Sequence, residues 1–432
     1  MEELPGSVLE LVLAKISAGD CARSACVARL WRHSAYQEVL WESYCRRDFP
    51  LAFLDDPLGK PCSSWKDTYH AWNKSSALVS RATCCWEMLR GWMQENFCEV
   101  AESLAPGASQ QELAETERIL HCNFPPAVHL LYRLCNGQEI PESDADEDDW
   151  TSDLQNNVGL FGGYSFSHHF VNVHLLSLHQ VVKLTQRIVP HLQLPPGSHR
   201  VIVAASSHLN KFFFLDCDDG DIYVGTRNLL IDGEMMVCVP TEGSEVGRQP
   251  QDGMLRWLEG YAQALHTGMF HVRTEGSSRS ISLYPETSPL CTAAVTRGVQ
   301  VRCSAVFVPE LSRLEELEDT FWFSYSVRMR LLPSHEQGAN SLTSCQLSAR
   351  HWVIRAHETV NEVRGEAVIG LFPLLREGDE EFVYESCTGL SATSGSLDGD
   401  FTFTPGRLTQ PEGPAFTALV ARFPLEVPQY IY

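Results

Sequence analysis

A multidomain α+β chain is predicted by three features of the sequence. Apolar residues recur at helical spacing from Val8 to Cys135. Alternating runs at Val201 to Ala205, Lys211 to Cys217 and Ile222 to Thr226 read as strands, with Asp218-Asp219-Gly220 as a hairpin signal. From Ile281 onward short alternating strands follow one another with turns rich in Gly, Pro and Ser and no helices between them. With 432 residues, the chain has room for about two to four domains.

The first 45 or so residues read as three short helices. Pro5 sits in the first turn of the first, where its missing N–H costs nothing. Val8, Leu9, Val12, Leu13 and Ile16 make one stripe. Asp20 is the expected N-cap of the second helix, in which Ala22, Ala25, Cys26 and Leu30 face one way and Trp31 ends the run. The third carries Val39, Leu40, Trp41 and Tyr44. So small a unit has a marginal core, and its apolar surface must meet either the rest of the chain or another protein.

Leu4-Pro5, the apolar run Val8 to Ile16, Asp20-Cys21, Val27 to Trp31 and Leu40-Trp41 resemble in order and spacing the F-box family. Cys21, Ala22 and Ala28-Arg29 depart from its usual residues. The resemblance implies that residues 1–49 bind the Skp adaptor of an SCF cullin–RING ubiquitin ligase. The residues it points to are Leu4, Pro5, Leu9, Leu13, Val27, Leu30, Leu40 and Trp41. Some of these must form the small internal core, and sequence does not separate the two sets.

Residues 50–81 read as a connector with one helix near Ser64 to Lys74. From Cys84 to Ser103, Trp86, Leu89, Trp92, Met93, Phe97 and Val100 argue a long amphipathic helix. Ser109 and Glu112 form a capping box for the next, and a further helix runs from Val128 to a stop at Asn136-Gly137. A helix, Phe124-Pro125, a second helix, Asn136-Gly137-Gln138 and then strands resemble the SUKH (Smi/Knr-like) module, over residues 82–270.

In the C-terminal third, strands are expected at Ala293 to Val308, Phe321 to Leu331, Trp352 to Ala356 and Val383 to Tyr384. The segments Ala294 to Val299, Phe323 to Arg328, Gln346 to Ile354, Val363 to Gly370 and Tyr384 to Gly399 resemble the ApaG domain. That family implies an all-β, fibronectin-III-like sandwich over residues 275–432. The F-box, SUKH and ApaG order is similar to the F-box/ApaG family, and to its plant members named as Skp-interacting partners. The animal members continue into a long acidic tail, so the end of this chain at Tyr432 is expected to set it with the plant type.

A formal net charge of −22 argues against nucleic acid and anionic membrane as partners and leaves an unknown protein target as the expected one. No run of 18 apolar residues occurs, and the first residues are acidic, so neither secretion nor membrane spanning is expected. The 15 cysteines are scattered and form no C-x-x-C pair, as in a reduced cytoplasmic or nuclear protein. Lysine occurs only at 15, 60, 66, 74, 183 and 211. Scarcity of acceptors would limit self-modification in a ubiquitin-ligase subunit, but a plain preference for Arg over Lys is the better account.

No cofactor, metal or catalytic centre is expected. The acidic run Glu142 to Asp149 has Asp149 and Gln155 where a calcium loop needs Gly and Glu. No Cys, Asp or Glu stands close to His168, His169, His174 and His179 at zinc-ligand spacing. No hydrolase elbow, Walker loop or His-Glu-x-x-His motif occurs, and the expected role is non-catalytic. In Gly365 to Gly370 no helix follows the glycines, against a dinucleotide fingerprint and for a tight strand turn. Arg350, Gly365 and Gly370 nonetheless mark a candidate ligand- or target-binding turn. The alternative function is accordingly a small-anion or metabolite sensor built on the sandwich, with the F-box serving turnover or localisation.

Overall fold

The computed structural model describes residues 6–49, 51, 54–139, 158–166, 169–192, 194, 197–226, 235–240, 251–275, 278–312, 320–337 and 341–432. Leu4, Pro5, His168 and the acidic run 142–149 lie outside these.

The N-terminal unit is helical, with one more helix than expected: α1 (Gly6–Leu13), α2 (Ala18–Ser24), α3 (Arg29–Ala35) and α4 (Glu38–Asp48). The expected second helix is interrupted at residues 25–28, where Ala28 takes an extended backbone. That break lets α3 fold back against both α1 and α2. Its cap also moves. Ser17 is the N-cap of α2 and its hydroxyl accepts from Asp20 N at 3.0 Å, so Asp20 belongs to the first turn. The unit has its own core, built on Leu9, Leu13, Ala18, Cys21, Ala25, Ala35, Leu40, Trp41 and Tyr44.

Helix α5 (Trp65–Lys74) lies where the connector helix is expected, and α6 (Ser76–Asn96) begins inside the connector rather than at Cys84. Phe97, non-helical and fully buried, ends α6 and starts the short α7 (Cys98–Glu102). The capping box forms at α8 (Gln110–Leu120): Ser109 N donates to Glu112 Oε2 at 2.7 Å while Ser109 Oγ accepts from Glu112 N at 3.2 Å. Pro126 opens α9 (Pro126–Leu134) at the position where proline is tolerated.

These helices and α10 (Leu178–Ile188) and α11 (Gly253–His266) pack with a sheet of eight described strands: β1 (Gly162–Phe166), β2 (His169–Leu175), β3 (Arg200–Ser206), β4 (Lys211–Asp216), β5 (Ile222–Thr226), β6 (Met236–Val237), β7 (His271–Glu275) and β8 (Ser278–Ser282). Their spatial order is β6-β5-β4-β3-β2-β1-β8-β7, with β1–β8 the parallel pair. β7 and β8 therefore extend the central sheet, although residues from 275 onward are expected in the sandwich.

The C-terminal part is two sheets. β9 (Thr292–Thr296), β10 (Val299–Phe307), β11 (Phe321–Leu331) and, later, β15 (Phe382–Leu390) pair in the order β15-β11-β10-β9. Facing them are β12 (Ser344–Ala356), β13 (Thr359–Glu366), β14 (Leu374–Arg376), β16 (Ser394–Arg407), β17 (Gln410–Pro411) and β18 (Phe416–Glu426). The run expected as one strand from Ala293 to Val308 is a hairpin. Arg297 and Gly298, at φ of 51° and 83°, supply the two positive-φ positions its tight turn needs.

One continuous core runs from Ala82 to Ile431 and joins the central module to the sandwich. β11 shows why. Phe323, Tyr325, Val327 and Met329 face the sandwich interior, while the alternate residues Ser324, Ser326 and Arg328 are buried too, beneath the central module. Ser324 Oγ donates to Ser165 O at 2.6 Å and shares a 2.7 Å hydrogen bond with Tyr284. No described helix is long and apolar enough to cross a membrane.

Candidate partner-binding surfaces

In the N-terminal unit Trp41 Nε1 donates to Ala35 O at 2.8 Å and Tyr44 OH to Leu13 O at 2.6 Å, tying α4 to the ends of α3 and α1. Helix α5 closes the far side, with Tyr69 edge-on to Trp41 at 5.4 Å and its hydroxyl donating to Asp48 Oδ2 at 2.9 Å. Burial in this packing, together with the nearby acidic groups, pushes the Cys45 thiol up to about 12, so it is an uncharged core residue at neutral pH.

Of the residues singled out from sequence, Leu9, Leu13, Leu40 and Trp41 belong to this core. Val27 and Leu30 stand outside it, Val27 at 73% exposure. Sequence reading missed several companions. Val8, Leu11, Val12, Tyr36 and Val39 are also exposed, Leu11 at 68% and Val39 at 77%. The signal was present at Val8 and Val12, which share the first helix's stripe. A stripe wider than the core can take leaves its margin in water. Beside these residues Arg29, Arg32, His33 and Tyr36 line an open hollow of about 310 Å³. The unit thus exposes large apolar side chains on α1, α3, α4 and the α2–α3 link, together with basic ones, which suits another protein better than solvent.

The triplet Asn136-Gly137-Gln138 is a knot within the central module. Asn136 Oδ1 accepts from Leu178 N at 2.8 Å. Gly137 has φ of 68°, and a Cβ there would sit 2.4 Å from the Leu176 carbonyl. Gln138 donates to Ser103 Oγ at 2.8 Å and Val158 O at 2.9 Å, and accepts from Leu160 N at 2.8 Å.

At the sandwich edge, Gly365 is the penultimate residue of β13 and the chain reverses through Ala367, Ile369 and Gly370, with φ of 61°, 45° and 78°. Val368 and Leu371 exchange both backbone hydrogen bonds, at 3.0 and 2.8 Å, so the glycine-rich run is a strand turn. Arg350 Nη1 donates to Glu366 O at 3.0 Å and Ala367 O at 2.7 Å. The structure therefore does bring Arg350, Gly365 and the turn together, with that guanidinium nitrogen engaged by carbonyls. Ile369, Leu371 and Phe372 of this turn are exposed, as are Val360 and Val363 of β13.

Among the described residues no group of three or more His, Cys, Asp or Glu could hold a metal ion. His174 is buried in β2 whereas His179 is exposed on α10.

The ApaG domain family model matches residues 312–405, within the sandwich. Along its whole length the chain is 41% identical to F-box protein SKIP16 of Arabidopsis thaliana, which it also covers completely. The chain belongs to the F-box/ApaG protein family. A second relative, F-box only protein 3 of Homo sapiens, is 23% identical over 93% of this chain and 79% of that protein. Protein ApaG of Anaeromyxobacter dehalogenans (strain 2CP-C) is 38% identical over 31% of this chain and 94% of its own, a match of domain size. In this F-box/ApaG chain the N-terminal helical unit and the sandwich both carry exposed large apolar side chains.

Proposed function

We propose that the chain is the substrate-recognition subunit of an SCF cullin–RING E3 ubiquitin ligase. The observation that carries this reading is the exposed apolar and basic face of the N-terminal unit, whose own core is complete without it. Membership of a family whose relatives are named F-box proteins supports it.

In this reading the F-box meets a Skp-type adaptor through Val27, Leu30, Leu11, Val12 and Val39, together with Leu4 and Pro5. Core residues Leu9, Leu13, Leu40 and Trp41 hold that face in shape. The central module, SUKH-like by Phe124-Pro125 and Asn136-Gly137-Gln138, carries the sandwich. The sandwich meets the target protein with β13 and the 367–372 turn. The chain performs no bond chemistry; it raises the effective concentration of a target lysine beside the conjugating enzyme. It works in the cytoplasm, the nucleus or both.

The test is a pull-down from host lysate with the intact chain, a Val27→Asp/Leu30→Asp double variant and a Leu4→Ala/Pro5→Ala variant, read by mass spectrometry. Adaptor and cullin are expected with the intact chain and lost with the first variant. Their absence from the intact-chain eluate overturns the proposal.

A further inference from the structure

The central module and the sandwich do not close completely on each other. Between α11, the upper half of β10 and residues 424–432 lies a hollow of about 730 Å³, within the range of small-molecule sites. Phe270, Phe307, Tyr430 and Tyr432 give it aromatic walls, and Leu283, Leu290 and Val306 aliphatic ones. The segment 427–432 is seated firmly: Trp257 Nε1 donates to Ile431 O at 2.8 Å, Ile431 N donates to Cys238 O at 3.0 Å, and Tyr432 packs against Tyr261 at 5.1 Å. The aromatic wall is therefore preformed.

Its polar groups are few and carry no net charge into the interior. Tyr164 offers a hydroxyl that already accepts from the buried Lys211 ammonium at 3.0 Å and donates to Glu310 at 2.8 Å, and Lys211 also donates to Tyr432 O, so the cation behind that wall is already engaged. Glu426 is the charged lining residue, and it is exposed at the mouth with Gln263 and Gln429. A charged ligand would lose hydration here without finding a partner of opposite sign inside. A flat, uncharged ring system loses little and gains aromatic contact on several sides.

We propose that this hollow is a binding site for a neutral aromatic small molecule. The bound molecule touches both α11 and β10 and so stabilises the packing of the sandwich on the central module. The site is independent of the N-terminal face.

The test uses the full chain and two fluorescent probes sharing one ring system, neutral N-phenylnaphthylamine and its anionic relative anilinonaphthalene sulfonate. A Leu11→Asp background lowers adsorption to the N-terminal face. The neutral probe is expected to bind saturably, at least about tenfold more tightly than the anion, and to raise the melting temperature. Ala305→Trp fills the hollow from β10, and Gln263→Trp covers its mouth from an exposed position that folding does not depend on. Each is expected to weaken neutral-probe binding by about tenfold or more. Absence of saturable binding, equal affinity for the two probes, or full binding by a folded Gln263→Trp variant overturns the proposal.

Discussion

Arg328 Nη1 donates to Glu286 Oε2 at 2.6 Å, and the arginine is completely buried. Arg328 lies on the face of β11 that meets the central module, and Glu286 follows β8, so the pair spans the joint between the two parts. Arg302 reaches the same carboxylate at 3.0 Å, and Arg273 pairs with it as well. One carboxylate thus holds three guanidinium groups together.

Glu286→Gln would leave Arg328 charged and buried without its counter-ion, a change that costs about 3–5 kcal/mol in comparable sites. Arg328→Met is expected to cost less, because Glu286 keeps Arg302 and Arg273. Urea denaturation of both variants at neutral pH gives the order; equal losses would show that the pair does not depend on its acidic member.

Burial alone would raise the Glu286 carboxyl, but Arg328, Arg273 and Arg302 outweigh it and hold it below the ordinary range. A folded-state value below the unfolded one contributes stability that is complete above the unfolded value of about 4.3 and is lost as pH falls through the folded one. The intact chain is therefore expected to lose stability on acidification below that range. Glu286→Gln removes this part of the dependence, so its melting temperature should fall less steeply with pH.

Much of the architecture was legible because it is local. Ser109 and Glu112 signal a helix start through their own hydrogen bonds, and Phe321 to Leu331 alternates as a strand must. What escaped depends on partners distant in sequence. Ser324, Ser326 and Arg328 look like the wet side of a strand until the central module covers them. Asp20 is a good cap by type, yet Ser17 takes the role because it alone stands three residues before a free amide at the helix start. For the N-terminal face, spacing marks which residues are apolar but not which of them the core has room for.

That distinction is measurable. Trp41 is buried and bonded to Ala35 O, so Trp41→Ala is expected to cost about 3–5 kcal/mol. Val39, at 77% exposure, touches little, and Val39→Asp should change stability by no more than about 0.5 kcal/mol. Adaptor capture is expected to fall with both, but only the first variant should melt early. A Val39→Asp protein that binds normally would move the contact to another part of the face.

Arg350 pins the turn after β13 through two carbonyls, and that turn holds Ala367 and Ile369 in left-handed backbone. Arg350→Met is expected to speed amide exchange at Val368 and Leu371 while leaving β12 protected. Unchanged exchange would mean that the Val368–Leu371 bridge holds the turn unaided.

Gln138 offers the most demanding check on the central module. Its side chain is buried, and besides Ser103, Val158 and Leu160 it accepts from Leu175 N at 3.3 Å. Gln138→Ala would orphan the Leu160 amide and the Val158 carbonyl, at about 1–3 kcal/mol for each buried group left unpaired. Gln138→Glu keeps the acceptors and loses both donors, turning its contact with the Val158 carbonyl into a repulsion in a site with little water. It is expected to be destabilised at neutral pH and to recover partly on mild acidification, when protonation restores one donor. Thermal melts across pH distinguish this from simple loss of packing, which would make the two variants behave alike at every pH.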